Sequence, residues 1–242
     1  MDITPGTTVA EIAAGNPGTI RIFQRHQIDF CCGGKRPLAE VCEEKHMPFA
    51  ELQRELSGAD EPDREELPMT APLALLIRRI VDGYHAGLRE ELPRLGAMIE
   101  KVLGAHGARH PELTPLAATF RSLREELEMH MVKEERVLFP YVEKLEALEA
   151  AGEPLAASPF GSIAAPIGMM EHEHEDAGHD LARMRELTGG YTAPEDACNT
   201  FRGLYHGLSH LETELHAHIH LENNVVFPRA AQLEASLTVP AA

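Results

Sequence analysis

Histidine and glutamate recur four residues apart at two places, His130 with Glu134 and His218 with Glu222. Residues at that spacing share one face of an α-helix, so each pair can offer an imidazole and a carboxylate to a metal ion. The flanking stretches are twins. His130 to Pro140 aligns without a gap on His218 to Pro228, sharing His, Glu, Val, Phe and Pro at a constant offset of 88 residues. Two more histidines fit the repeat. His85 and His174 stand 89 residues apart, and His85, His130, His174 and His218 follow one another at intervals of 45, 44 and 44. One helix plus one turn accounts for such an interval. Equally spaced mid-helix residues meet at one level when successive helices run up and down.

The candidate ligands are therefore His85, His130, Glu134, His174, His218 and Glu222. A single histidine on an apolar stripe is ordinarily a satisfied core residue. Six ligand-type residues at matched positions on four apolar faces are a different matter, because they cost several kcal/mol to bury unpaired. A metal removes that cost. Four imidazoles and two carboxylates suit first-row metals, iron above all. Glu134 and Glu222 can each bridge two ions, with two imidazoles on each ion and room for an oxo or hydroxo bridge. The usual ferritin-like spacing is Glu-x-x-His, and His-x-x-x-Glu points away from it. Glu126 and Glu214 lie one turn before the two histidines, and Glu173 adjoins His174. These acids are candidates to hold imidazole N–H groups from outside or to line a channel. His172, His179, His206, His210, His216 and His220 are expected at the surface or behind the ligands, and His106 and His110 in a loop.

The elements that must carry these residues are helical. Glu, Leu and Ala dominate and β-branched runs are scarce, which favours an all-α chain. Residues 1–57 read as a small helical unit. Thr8 and Glu11 make a capping box, Gly15 stops the first helix, and Pro17, Pro37 and Pro48 open three more. Residues 58–70 are acidic, carry two prolines and read as a linker. Residues 71–242 hold four long helical patterns, near 72–103, 116–148, 165–187 and from Thr192 to about 237. Pro140 and Pro228, at equivalent places, are expected to bend the second and fourth helices just beyond the metal residues.

Asp29-Phe30-Cys31-Cys32-Gly33-Gly34 interrupts the small unit with a turn. The thiols of Cys31 and Cys32 admit two readings: small residues packed at the turn, or groups activated near Lys35 and Arg36 for redox or iron transfer. Adjacent cysteines make a poor disulfide framework. The N-terminus lacks the basic and apolar regions of a secretory signal, so a reducing cytoplasm is expected. A net charge of −17 disfavours nucleic acid. No apolar run approaches a membrane span.

With these motifs the chain resembles the iron–sulfur cluster repair di-iron proteins, the repair of iron centres family. Asp-Phe-Cys-Cys-Gly-Gly at 29–34 matches the motif of that family's short N-terminal domain. His130-x-x-x-Glu134 with Leu-Phe-Pro, Met-Glu-x-Glu-His at 170–174, and His218-x-x-x-Glu222 match its hemerythrin-like domain. The resemblance implies an up-down four-helix bundle beside the small domain, and a non-haem di-iron centre held by the four histidines and two glutamates. It implies restoration of clusters damaged by nitric oxide or peroxide. Damaged iron–sulfur proteins are the expected partners, nitric oxide or dioxygen the small ligands, and a homodimer is left open. A hemerythrin-type carrier of dioxygen or nitric oxide is one competing expectation. A nitric oxide reductase or peroxidase, with Glu126 or Glu173 relaying protons, is another.

Overall fold

A computed structural model describes residues 3–31, 33–59, 68–156 and 158–238. Among them the only β contacts are two isolated bridges, Thr8 with Pro37 and Leu155 with Thr238. The rest is helix and turn. Among the described residues no helix is long and apolar enough to cross a membrane. The chain divides into two compact units: Met1–Ile77 with Val142–Ala164 and His216–Ala242, and Arg78–Tyr141 with Ala165–Leu215.

The first unit begins with four short helices, α1 (Val9–Gly15), α2 (Ile20–Arg25), α3 (Leu38–Glu44) and α4 (Phe49–Ser57). Thr8 and Glu11 form the capping box that starts α1. Pro17 opens a 3-10 turn that leads into α2, and Pro37 and Pro48 stand immediately before α3 and α4. These helices enclose a core of their own, built on Ile12, Phe23, Phe30, Leu38, Leu52 and Leu56.

The loop from Asp29 to Gly34 is tightly determined. Asp29 Oδ1 accepts from the Cys31 N–H at 2.9 Å and from the Cys31 thiol at 3.2 Å, while Oδ2 accepts from the Gly33 N–H at 2.8 Å. A Cβ on Gly34 would lie 2.6 Å from the Phe30 carbonyl oxygen, so no side chain fits there. Cys31 is buried. Cys32 and residues 60–67 of the expected linker lie outside the described residues.

The long helices carry the second unit and continue into the first. They are α5–α6 (Leu73–Arg79 and Ala86–His106), α7–α8 (Leu113–Lys133 and Phe139–Ala151), α9 (Ala164–Leu187) and α10–α11 (Asn199–Leu221 and Phe227–Leu237). Three carry a wide π turn between their two parts: Ile80–His85, Glu134–Leu138 and Glu222–Val226. The last two explain what the prolines do. Pro140 and Pro228 have no N–H to donate, and an ordinary α turn would press their rings onto the carbonyl four residues back. The chain answers with a five-residue reach: Phe139 N–H bonds to the Glu134 carbonyl, and Phe227 N–H to the Glu222 carbonyl. Each wide turn starts on the repeated glutamate.

Two expectations need correction. The fourth long helix starts at Asn199 rather than near Thr192; Pro194 and Ala197 close a turn there instead, with the Ala197 N–H bonded to the Pro194 carbonyl at 3.0 Å. His106 is the last residue of α6 and is buried, so only His110 of that pair is in a loop.

The duplication also builds the helix ends. Glu146 Oε1 and Oε2 accept from the Leu73 and Ala74 N–H groups at 2.6 and 3.0 Å, capping α5. Glu234, 88 residues later in sequence, accepts from the Ile163 N–H at 2.8 Å and from Ser162 Oγ at 3.1 Å, just before α9. Carboxylates at these positions satisfy N–H groups that have no partner within the helix and face its positive end. Glu234→Ala is expected to lower stability by about 1–2 kcal/mol without changing metal stoichiometry. Chemical denaturation and metal analysis on the same sample check both halves of that statement.

Candidate metal centre

All six repeat-matched residues are buried. His85, Glu134 and Glu222 show 0% exposure, and His130, His174 and His218 show 2%. His85 comes from the end of the first π turn and His130 from α7. Glu134 and Glu222 open the second and third π turns, His174 comes from α9, and His218 from α10. Their ligand atoms fall into two groups of four, each with every atom within 4.8 Å of the others: His85, Glu134, His218 and Glu222, and His130, Glu134, His174 and Glu222. Glu134 and Glu222 belong to both. The π turns matter here, because wide turns of this kind displace local side chains from the α register and are frequent at functional sites.

Distances within the cluster are those of groups aimed at a common centre. His85 Nε2 and His130 Nε2 lie 3.3 and 3.4 Å from the Glu134 carboxylate. His130 Nε2 and His174 Nε2 face each other at 3.0 Å, and His218 Nε2 lies 2.8 Å from Glu222 Oε1. Neither Glu134 oxygen accepts a hydrogen bond from the described residues. A wholly buried carboxylate left in that state is costly. Cations would resolve that cost, and the residues present fit them: two donor groups, each with two imidazoles, and the carboxylates of Glu134 and Glu222 in both.

The imidazoles are oriented from behind. His85 Nδ1 donates to Glu135 Oε1 at 2.7 Å, and Arg89 Nη2 donates to the same oxygen at 2.7 Å. His130 Nδ1 donates to Glu173 Oε2 at 2.8 Å, and Lys133 Nζ donates to Glu173 Oε1. With the proton on Nδ1, the Nε2 lone pair of each ring faces the cluster, the usual carboxylate–histidine–metal pattern. Burial works to raise the pKa of Glu173. The bonds from Lys133 and His130 outweigh it and hold the carboxyl below its ordinary value. Glu135 follows the same pattern, with burial opposed by Arg89 and His85.

Other residues singled out from the sequence sit elsewhere. Glu126 is exposed, and its carboxylate accepts from Ser122 Oγ at 3.0 Å. Glu214 is exposed. His172 is 72% exposed beside Glu175 and Asp176. Glu135 was not anticipated, since its only sequence signal is that it follows Glu134 and precedes Arg136 in a charged run. His220 was placed at the surface or behind the ligands; it is 0% exposed, and burial pushes its pKa down to about 4 against the opposing bond to the Phe30 carbonyl.

A bundle with paired His-x-x-x-Glu turns around two overlapping donor groups defines a class, and comparison with known proteins gives the same one. Residues 76–230 match the hemerythrin HHE cation binding domain, and residues 5–60 match a domain of unknown function, DUF542. The chain belongs to the family of hemerythrin-like proteins that carry this N-terminal domain. Among curated relatives, the iron-sulfur cluster repair protein YtfE of Musicola paradisiaca (strain Ech703) is 40% identical over 229 residues, covering 94% of this chain and 97% of the relative. The protein of the same name from Pectobacterium carotovorum subsp. carotovorum (strain PC1) is 40% identical over 228 residues, with the same coverage. That from Yersinia pseudotuberculosis serotype IB (strain PB1/+) is 39% identical over 228 residues.

Proposed function

We propose that this is a non-haem di-iron protein that restores iron–sulfur clusters damaged by nitrosative or oxidative stress, by supplying iron to them. The observation that carries the reading is the pair of buried donor groups sharing Glu134 and Glu222. The imidazole-and-carboxylate donor set favours iron among first-row metals. The relatives of nearly full-length coverage bear the repair name. Iron, when bound, supplies both an exchangeable metal and a redox couple. The chain's own residues do the rest. His85, His130, His174, His218, Glu134 and Glu222 are the proposed ligands. Glu135 and Glu173 hold His85 and His130 in the correct tautomer, and the surrounding apolar helix faces exclude water.

The domain organisation belongs to the same proposal: residues 1–57 as the small cysteine domain, 58–70 as linker, and 71–242 as the di-iron bundle. The separate core drawn from Ile3 to Leu56 and the two family matches support it. Damaged iron–sulfur proteins are the proposed partners, nitric oxide or dioxygen the small ligands, and the cytoplasm the site of action; a homodimer is compatible with this reading.

The test is to incubate the iron-loaded protein with an iron–sulfur enzyme inactivated by nitric oxide. Recovery of that enzyme's activity, matched by iron leaving this protein, is the expected result. No recovery together with tight reversible dioxygen binding would make it a carrier. Sustained consumption of nitric oxide under reductant would make it a reductase.

A further inference from the structure

One helix carries two pairs of residues at a spacing of four, on opposite faces. His218 and Glu222 look towards the cation site. His220 and Asn224, each two residues further along and so roughly 200° around the helix, look the other way and meet the cysteine loop. His220 Nδ1 donates to the Phe30 carbonyl at 3.1 Å. Asn224 Nδ2 donates to the Phe30 carbonyl at 3.3 Å and to the Cys31 carbonyl at 3.2 Å. The His220 ring also packs edge-on against Phe30, with centroids 5.5 Å apart, and His216 does so at 6.1 Å. His220 is wholly buried, and its Nε2 has no hydrogen-bond partner among the described residues.

The twin stretch isolates the feature. The positions equivalent to His220 and Asn224 are Val132 and Arg136, so the repeat keeps the cation pair in both copies and the loop-binding pair in one. The bonds are made to main-chain carbonyls, so they specify the path of the loop and not its side chains. Asp29 grips the same loop from within the small domain.

We propose that His220 and Asn224 form a latch on the cysteine loop: they are positioning residues that hold its main chain against the turn bearing Glu222 and keep the Cys31 thiol shielded until they let go. The latch reaches beyond the proposed repair reading and does not depend on which metal the centre holds. Cys31 is 4% exposed although it sits in a loop. The latch holds main-chain carbonyls of Phe30 and Cys31, whereas the core of the small domain is made by side chains, the Phe30 ring among them.

The experiment measures alkylation of the purified full-length chain by iodoacetamide, in a Cys32→Ser background so that the loop reports through Cys31 alone. Two internal controls are built in. Cys198 is exposed and Cys42 lies in the core of the small domain. His220→Ala and Asn224→Ala should each speed Cys31 alkylation about tenfold, leaving Cys42 slow and Cys198 unchanged. His220→Asn, which keeps a donor near the position of Nδ1, should restore most of the protection. If Cys31 reacts at the parent rate in both alanine variants, the latch does not exist. If Cys42 speeds up in step with Cys31, these residues only keep the small domain folded, and the proposal is equally overturned. Asn224 is half-buried, so its variant reads the latch even where His220→Ala fails to fold.

Discussion

Replacing Glu134 by leucine should move the metal-bound and metal-free protein in opposite directions. Glu134 belongs to both donor groups, so its loss takes a ligand from each ion, and bound iron should fall below one per chain. In the metal-free protein the same carboxylate is wholly buried and accepts no hydrogen bond from the described residues. Replacing buried ionic groups by well-packed apolar ones is often neutral or stabilising, by up to about 4 kcal/mol. Metal-free Glu134→Leu should therefore melt about 5 °C above metal-free parent. Glu222→Leu should lose iron in the same way, but it also removes the His218 contact at 2.8 Å, so its metal-free form should gain less. Iron analysis and calorimetry on stripped and loaded samples decide the matter. Two irons per chain in the variant, or a lower melting point when stripped, would sink the assignment of a shared carboxylate.

The carboxylates behind the histidines should act on the two ions separately. Glu135 orients His85, a member of the first donor group only, and Glu173 orients His130, a member of the second only. Removing an outer carboxylate of this kind typically weakens metal binding by about 10–100-fold. Glu135→Ala and Glu173→Ala should each convert a two-iron titration into one tight and one weakened step, and the double variant should weaken both. Competition with a chelator of known affinity measures this. A uniform loss of both ions in either single variant would show that the two carboxylates do not discriminate between the donor groups.

The parts of this protein that could be read from sequence are those written as periodicity. Histidines at 85, 130, 174 and 218 declare four helices of equal reach, and the structure gathers them with Glu134 and Glu222. Periodicity fails where a residue breaks it. Pro140 and Pro228 announce a conflict with the regular helix, and the chain resolves it by widening the turn before each one, which periodicity does not show. A wide turn changes which neighbours of a ligand face inward, so Glu135 gave no usable signal. The start of the fourth helix was misplaced because Thr192 and Glu195 imitate a cap, while Pro194 and Ala197 close a turn that postpones the helix to Asn199. His220 carries the same residue type as the ligands, and only its partner, a carbonyl in a distant loop, distinguishes its role.

The wide turns also set what kind of change the chain can tolerate. Each holds one residue more than regular helix geometry requires, and Val137 in the turn that starts on Glu134 is 47% exposed, with little packing to lose. A chain shortened by that residue could close the turn into a regular, better-bonded helix. It would gain regularity and lose the aim of Glu134. Helical order and metal geometry are thus set against each other at one peptide unit. Length at the Glu134 turn is therefore under tighter constraint than the identity of the exposed Arg136 and Val137 within it.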